Sequence, residues 1–206
     1  MPDRFVFIPG AAGRASFWDP VIDSLRGHLP TLSPHAVDWP GVGGNPSDRD
    51  VASYAALTDL VEAMIERIGP VVLVAQSAGG AVALDLALRR PDLITHLALC
   101  ATSLGLDVEA LGAVDWRPPP DTEPDPERPA WVYERLADRT AELHQIGQPT
   151  LLVWAERDRL SPGAVGRHLA TNIADAELVV HDSDDHWIAQ TEATDVARRL
   201  AALAAR

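Results

Sequence analysis

Several things are scarce in this chain, and each shortage removes a class of protein. There is a single cysteine, Cys100, so no internal disulfide can form. Its apolar neighbours mark it as a buried structural thiol. No apolar run approaches the roughly 20 residues that a membrane-spanning helix needs. No secretory leader is visible: Met1-Pro2-Asp3-Arg4 precedes only a short apolar run that Pro9-Gly10 ends. Cationic side chains number 17 against 30 acidic ones, which leaves a formal charge of −13. Such a surface is a poor match for nucleic acid or an anionic membrane. It also counts against highly anionic small substrates, because no dense cluster of Lys or Arg stands along the chain. The cytoplasm is the expected location.

What is present describes one domain. At 206 residues and 47% hydrophobic content, the chain can bury a sizeable core. Apolar runs at residues 4–8, 31–39, 71–76, 93–100, 150–154 and 177–180 read as six strands. Between them, helical spacing or capping marks residues 17–29, 53–68, 78–91, 165–173 and 189–205. Ser16 and Ser53 are available as caps, and Gly69-Pro70 ends the second of these helices. Strands that are apolar throughout and alternate with helices predict an α/β protein. Its expected form is a mainly parallel six-stranded sheet with helices on both faces. The exception is residues 104–148, where Trp116-Arg117-Pro118-Pro119-Pro120 and the alternating acids and prolines of 121–129 forbid a regular helix or central strand. This stretch reads as a short proline-rich insertion, with 131–146 compatible with helix.

Residues 71–80 organise the rest. Val71-Val72-Leu73-Val74 is a fully buried strand that stops at Gln76-Ser77, and Ala78-Gly79-Gly80 then opens a helix. A serine in that place is most often only a helix cap. Small residues two places either side, Ala75 and Gly79, give instead the pattern of a nucleophile elbow. Its usual form is G-x-S-x-G, whose tight turn lifts the hydroxyl clear of the sheet. Ala75 replaces the first glycine, where a small methyl suffices for close packing. The Pro9-Gly10-Ala11-Ala12-Gly13 loop is either a source of backbone donors or an ordinary strand-to-helix turn. No lysine follows it as in a P-loop.

The succession of a strand with a Pro-Gly loop, a strand with a glycine-rich loop at 40–48, a strand with a serine elbow, a strand with an insertion, and two strands followed by Asp and His resembles the α/β-hydrolase fold. The resemblance covers essentially the whole chain. It implies a catalytic triad in the order Ser, acid, His. Ser77 is then the nucleophile. Asp158, in Trp-Ala-Glu-Arg-Asp-Arg-Leu-Ser-Pro, is similar to the family's G-x-x-D-x-x-x-P acid loop, with Trp154 in the glycine position and Glu156 as rival. His186, in Asp-Ser-Asp-Asp-His-Trp, matches the histidine after the last strand. His181 comes too early, at the end of that strand, and His144 lies in or beside the insertion. Asp182, Asp184 and Asp185 form a solvated acidic loop in preference to a metal site.

The resemblance further implies an oxyanion hole from the backbone N–H of Ala78 and of Ala11, or else Ala12. The first loop lacks the family's usual His-Gly, and the strand at 4–8 is expected to stand without the family's antiparallel opening hairpin. The insertion stands where the family carries its cap, which makes Ala12, Trp116, Trp131 and Tyr133 candidates for substrate contact. The implied activity is hydrolysis of a small or medium carboxylic ester through an acyl-enzyme, with a small-molecule ester as partner, no nucleic acid or membrane, and neither cofactor nor metal. A thioesterase, a perhydrolase, a lyase or a non-catalytic small-molecule receptor would use the same scaffold. Without a basic patch, coenzyme A esters are the less favoured substrates.

Overall fold

Successive residues of a strand face opposite sides of its sheet, so a run without polar members must be covered on both. The computed structural model describes residues 2–119, 122, 125 and 127–206, and it places six such strands side by side. They are β1 (Arg4–Ile8), β2 (Ser33–Ala36), β3 (Val71–Gln76), β4 (Ile94–Cys100), β5 (Thr150–Ala155) and β6 (Ala176–His181). All pairings are parallel and the order is β2-β1-β3-β4-β5-β6. Phe5, Phe7, Val72 and Val74 face α1 (Asp19–Arg26) and the last helix, Ala193–Leu203. Val6, Ile8, Leu73 and Ala75 face the opposite way, under α2 (Tyr54–Ile68), α3 (Gly79–Arg89) and α4 (Gly163–Asn172). The expected α/β architecture is therefore present.

The strand order creates the crevice where chemistry can sit. From β1 the chain crosses to β2 on one side, then returns to place β3 on the other side of β1. Loops leaving the C-terminal ends of β1 and β3 diverge, which opens a gap between them. Ser77 and residues 9–13 occupy that gap. Below it, Cys100 ends β4 fully buried, and burial pushes its thiol up to about 12.

Local chemistry trims several predicted elements. The strand at 31–39 shortens to β2, an edge strand in which Pro34 is tolerated. The helix at 17–29 begins as a 3-10 turn, Ala15–Trp18, and becomes α-helical where Pro20 occupies the first turn of α1. Ser53 does cap α2, its hydroxyl oxygen accepting the Ala56 N–H at 3.0 Å. The closing helix is in two pieces, α5 (Ile188–Thr191) and α6 (Ala193–Leu203).

The stretch 131–146 is not one helix. It forms two 3-10 turns, Ala130–Tyr133 and Thr140–Gln145, because its polar groups are taken by distant partners. The Tyr54 N–H donates to Glu134 Oε2 at 3.0 Å, Arg139 reaches Asp85 at 2.6 Å, and Asp138 accepts the Asp107 N–H at 2.9 Å. Of the proline run between them and β4, residues 120, 121, 123, 124 and 126 lie outside the described residues. Among the described residues, no helix is long and apolar enough to cross a membrane.

Candidate active site

The turn between β3 and α3 is held under strain. Ser77 has φ of +52°, a left-handed conformation that costs a residue with a side chain about 1–2 kcal/mol. Its N–H donates to the Cys100 carbonyl at 2.8 Å, and its own carbonyl accepts the Gly80 N–H at 2.9 Å. Close approach explains the small residues around it. A Cβ on Gly79 would stand 2.4 Å from the Pro9 carbonyl oxygen, and one on Gly80 would stand 2.2 Å from Thr102 Oγ1. Ala75 pairs with Ile8 across β1 and is fully buried, so its methyl is accommodated. The Gly79→Ala variant is expected to displace the Pro9 loop and lower kcat/KM by about 10²-fold, the scale of a misplacement near 1 Å. Ester kinetics on the folded variant check this; a change under threefold would show that the contact does not position the site.

Two further loops meet this turn. The Ser77 hydroxyl donates to His186 Nε2 at 2.8 Å, and His186 Nδ1 donates to Asp158 Oδ2 at 2.7 Å. Asp158 is 2% exposed, and its other oxygen accepts the Leu160 N–H at 2.8 Å. The loops carrying His186 and Asp158 are joined through their backbones. Glu156 N–H donates to the His181 carbonyl and Arg157 N–H to that of Ser183, both at 2.9 Å. Beneath the acid loop, Trp154 Nε1 donates to Ser161 Oγ at 3.0 Å, and the Ser161 hydroxyl donates to the Thr102 carbonyl at 3.2 Å. Trp154 fits in place of a glycine because Gly166 on α4 leaves room for its ring, which a Cβ there would approach to 2.9 Å.

The rival residues stand elsewhere. Glu156 pairs with Arg167 at 2.6 Å on the surface, and His181 lies between Glu192 and Asp195. His144 donates to the Ala141 carbonyl at 2.8 Å within its own 3-10 turn. The acidic loop before His186 is spent on structure: Asp182 pairs with Arg157, Asp185 accepts the Trp187 N–H at 2.8 Å, and Asp184 is exposed. Among the described residues, no three His, Cys, Asp or Glu side chains gather as metal ligands would.

Ser77 and His186 line a cavity of about 200 Å³, together with Ala11, Ala12 and Trp116. Ala78, at the N-cap of α3, is buried directly behind Ser77. Neither its N–H nor those of Ala11 and Ala12 donate to the backbone of another described residue. A Cβ on Gly10 would lie 3.1 Å from Ser77 Cβ, so the first loop runs right against the serine. Tyr133 does not line the cavity but packs at a tilt against Trp116, ring centres 5.7 Å apart. Trp131 is wedged between Trp39 and Tyr54 at 5.8 and 5.5 Å and is buried in the core, so the expected substrate contact is not made. Trp116 also borders a second cavity of about 410 Å³, which holds neither Ser77 nor His186.

Sequence reasoning missed Phe17, Gln76, Arg128, Leu160 and Trp187 in the lining. Gln76 and Trp187 adjoin Ser77 and His186 in sequence, a signal that was available. Gln76 is buried, and its Nε2 donates to the His186 carbonyl at 2.8 Å. Phe17 and Arg128 arrive from distant segments and carry no such signal.

The fold is matched by known proteins. The chain belongs to the α/β-hydrolase family, whose model matches residues 5–199. Lipase LipV of Mycobacterium tuberculosis is 31% identical over 164 residues, covering 72% of this chain and 59% of that protein. A pimeloyl-(acyl-carrier protein) methyl ester esterase of Neisseria meningitidis is 30% identical over 210 residues, covering 81% of this chain and 66% of its own length. The match thus spans less than two thirds of either relative. Among solved structures, a hydrolase from Pseudomonas aeruginosa superposes with a TM-score of 0.79 at 19% identity, covering 100% of this chain and 91% of the other. An enol-lactonase from Burkholderia xenovorans gives 0.77 at 20% identity, with 100% and 92% covered. These two likenesses concern the fold.

Proposed function

We propose that the chain is a serine hydrolase that cleaves a small or medium carboxylic ester through an acyl-enzyme. The observation that carries this reading is the continuous hydrogen-bonded chain from Ser77 through His186 to a buried Asp158. Ser77 Oγ attacks the ester carbonyl while His186 Nε2 takes its proton, since an isolated hydroxyl is a poor nucleophile. Asp158 holds the proton on Nδ1 and stabilises the imidazolium that forms. The N–H groups of Ala78 and Ala11 hold the oxyanion, each donor worth about 10²–10³ in turnover. His186 then protonates the leaving alkoxide, and water repeats the sequence to release the acid. No step draws on a metal or a cofactor.

The relatives named as a lipase and a methyl ester esterase support the ester assignment. A cavity of about 200 Å³ favours short or medium groups. We read residues 104–148 as the cap, because Trp116 and Arg128 from that segment wall the cavity. The test uses p-nitrophenyl esters of increasing acyl length with methanol as a competing acceptor. The expected result is a kcat/KM that falls for long chains. The ratio of methyl ester to free acid should stay constant when the leaving group is changed. A ratio that changes with the leaving group would contradict the shared acyl-enzyme.

A further inference from the structure

The cavity around Ser77 continues into a neighbouring hollow of about 420 Å³, and the two share Ala12, Phe17, Arg128 and Trp187. The hollow adds Arg14. Among the described residues neither space is lined by an Asp or Glu, although the chain carries 30 acids against 17 bases. Every one of those bases is arginine, the side chain whose planar fork suits carboxylate and phosphate oxygens. A chain acidic overall therefore presents, among the described residues, a basic lining beside its serine.

Both arginines are seated. Arg14 lies along the backbone of Gly43, where a Cβ would stand 2.7 Å from its Cγ and 3.1 Å from its Nε. Gly43 has φ of +65°, so its backbone also favours glycine. Arg128 is followed by Pro129, whose ring packs on Gly41 so closely that a Cβ there would approach it to 3.0 Å. Among the described residues Arg128 faces the Asp125 carboxylate, at 3.7 Å and half exposed, a pair too long and too wet to hold the guanidinium firmly. Phe17 and Trp187 line both spaces, their rings tilted at 45° with centres 5.8 Å apart.

We infer that the mouth of the Ser77 cavity is an anion subsite, in which Arg128 and Arg14 bind a carboxylate or phosphate borne by the ester. The inference rests on the hydrolase reading and narrows its substrate class. The ligand has an ester at one end, a short apolar spacer against Phe17 and Trp187, and an oxyanion at the other. Sequence inspection finds no basic cluster, because the two arginines come from the first loop and from the proline-rich segment.

The test compares matched substrates on the full chain. One arm sets the p-nitrophenyl hemiester of a medium-chain dicarboxylic acid against the isosteric fatty acyl ester. The other sets acylglycerol phosphate against neutral monoacylglycerol. Wild type is expected to prefer the anionic member of at least one arm by about tenfold in kcat/KM, the scale of one charge-assisted contact. The arm that responds identifies carboxylate or phosphate. The Arg14→Gln/Arg128→Gln double variant should lose the preference, and Arg128→Lys should keep part of it. Arg26→Gln, a remote surface change on α1, should leave it intact. Fluorophosphonate labelling of Ser77 verifies that each variant retains its site. Equal rates in both arms, or a preference that survives the double variant, would overturn the subsite. A wild type that takes no ester and no label would instead overturn the hydrolase reading, and the subsite with it.

Discussion

Replacing Asp158 with asparagine is expected to lower kcat by about 10⁴-fold with KM changed little. The geometry dictates which way the new amide must face. Asp158 Oδ1 accepts the Leu160 N–H at 2.8 Å, and that donor will claim the asparagine oxygen. The amide nitrogen is then left to face His186 Nδ1, where Oδ2 now accepts at 2.7 Å. An N–H there can only donate, so the imidazole must carry its proton on Nε2. Nε2 then loses the lone pair that should take the proton of Ser77, 2.8 Å away. Steady-state kinetics with a small p-nitrophenyl ester check the effect. A fall below tenfold would mean that Asp158 does not set the tautomer.

The largest expected effect on stability comes from Trp131. It contacts no part of the Ser77 cavity and fills the space between Trp39 and Tyr54. Around it, the Tyr54 hydroxyl donates to the Val132 carbonyl at 3.3 Å, and burial raises the Tyr54 pKa well above the usual phenol value. Trp131→Ala is expected to cost about 3–5 kcal/mol through the lost burial and the void left behind. For a chain of this size that lowers Tm by roughly 10 °C. Urea and thermal unfolding measure the loss, and kcat/KM of the folded variant should change less than threefold. An unchanged Tm with a raised KM would return Trp131 to the substrate.

The contrast between Trp131 and Ser77 shows what local sequence carries. The elbow is legible because a buried strand, a small-x-Ser-x-small turn and a helix start are all encoded within ten consecutive residues. Asp158 and His186 are read from strand order together with the family resemblance, since Glu156, Asp182, Asp184 and Asp185 share their loops. The requirement for Gly79 comes from the Pro9 carbonyl, a neighbour that only the parallel pairing of β1 with β3 supplies. In the segment 104–148 prolines erase the periodicity on which helix and strand assignments depend. There the outcome is set by long-range bonds such as Glu134 to Tyr54 and Arg139 to Asp85. Whether an aromatic in that segment meets substrate or core is decided by tertiary packing. Trp116 and Trp131 look alike in sequence and end in different places.

Every step proposed for this chain depends on Ser77 being an activated nucleophile. Its most direct test is intact-mass analysis after treatment with a fluorophosphonate, followed by peptide mapping. One adduct per chain is expected, on Ser77, absent from Ser77→Ala and formed much more slowly in His186→Ala. Folded wild-type protein that takes no adduct, or takes it on another residue, would contradict it.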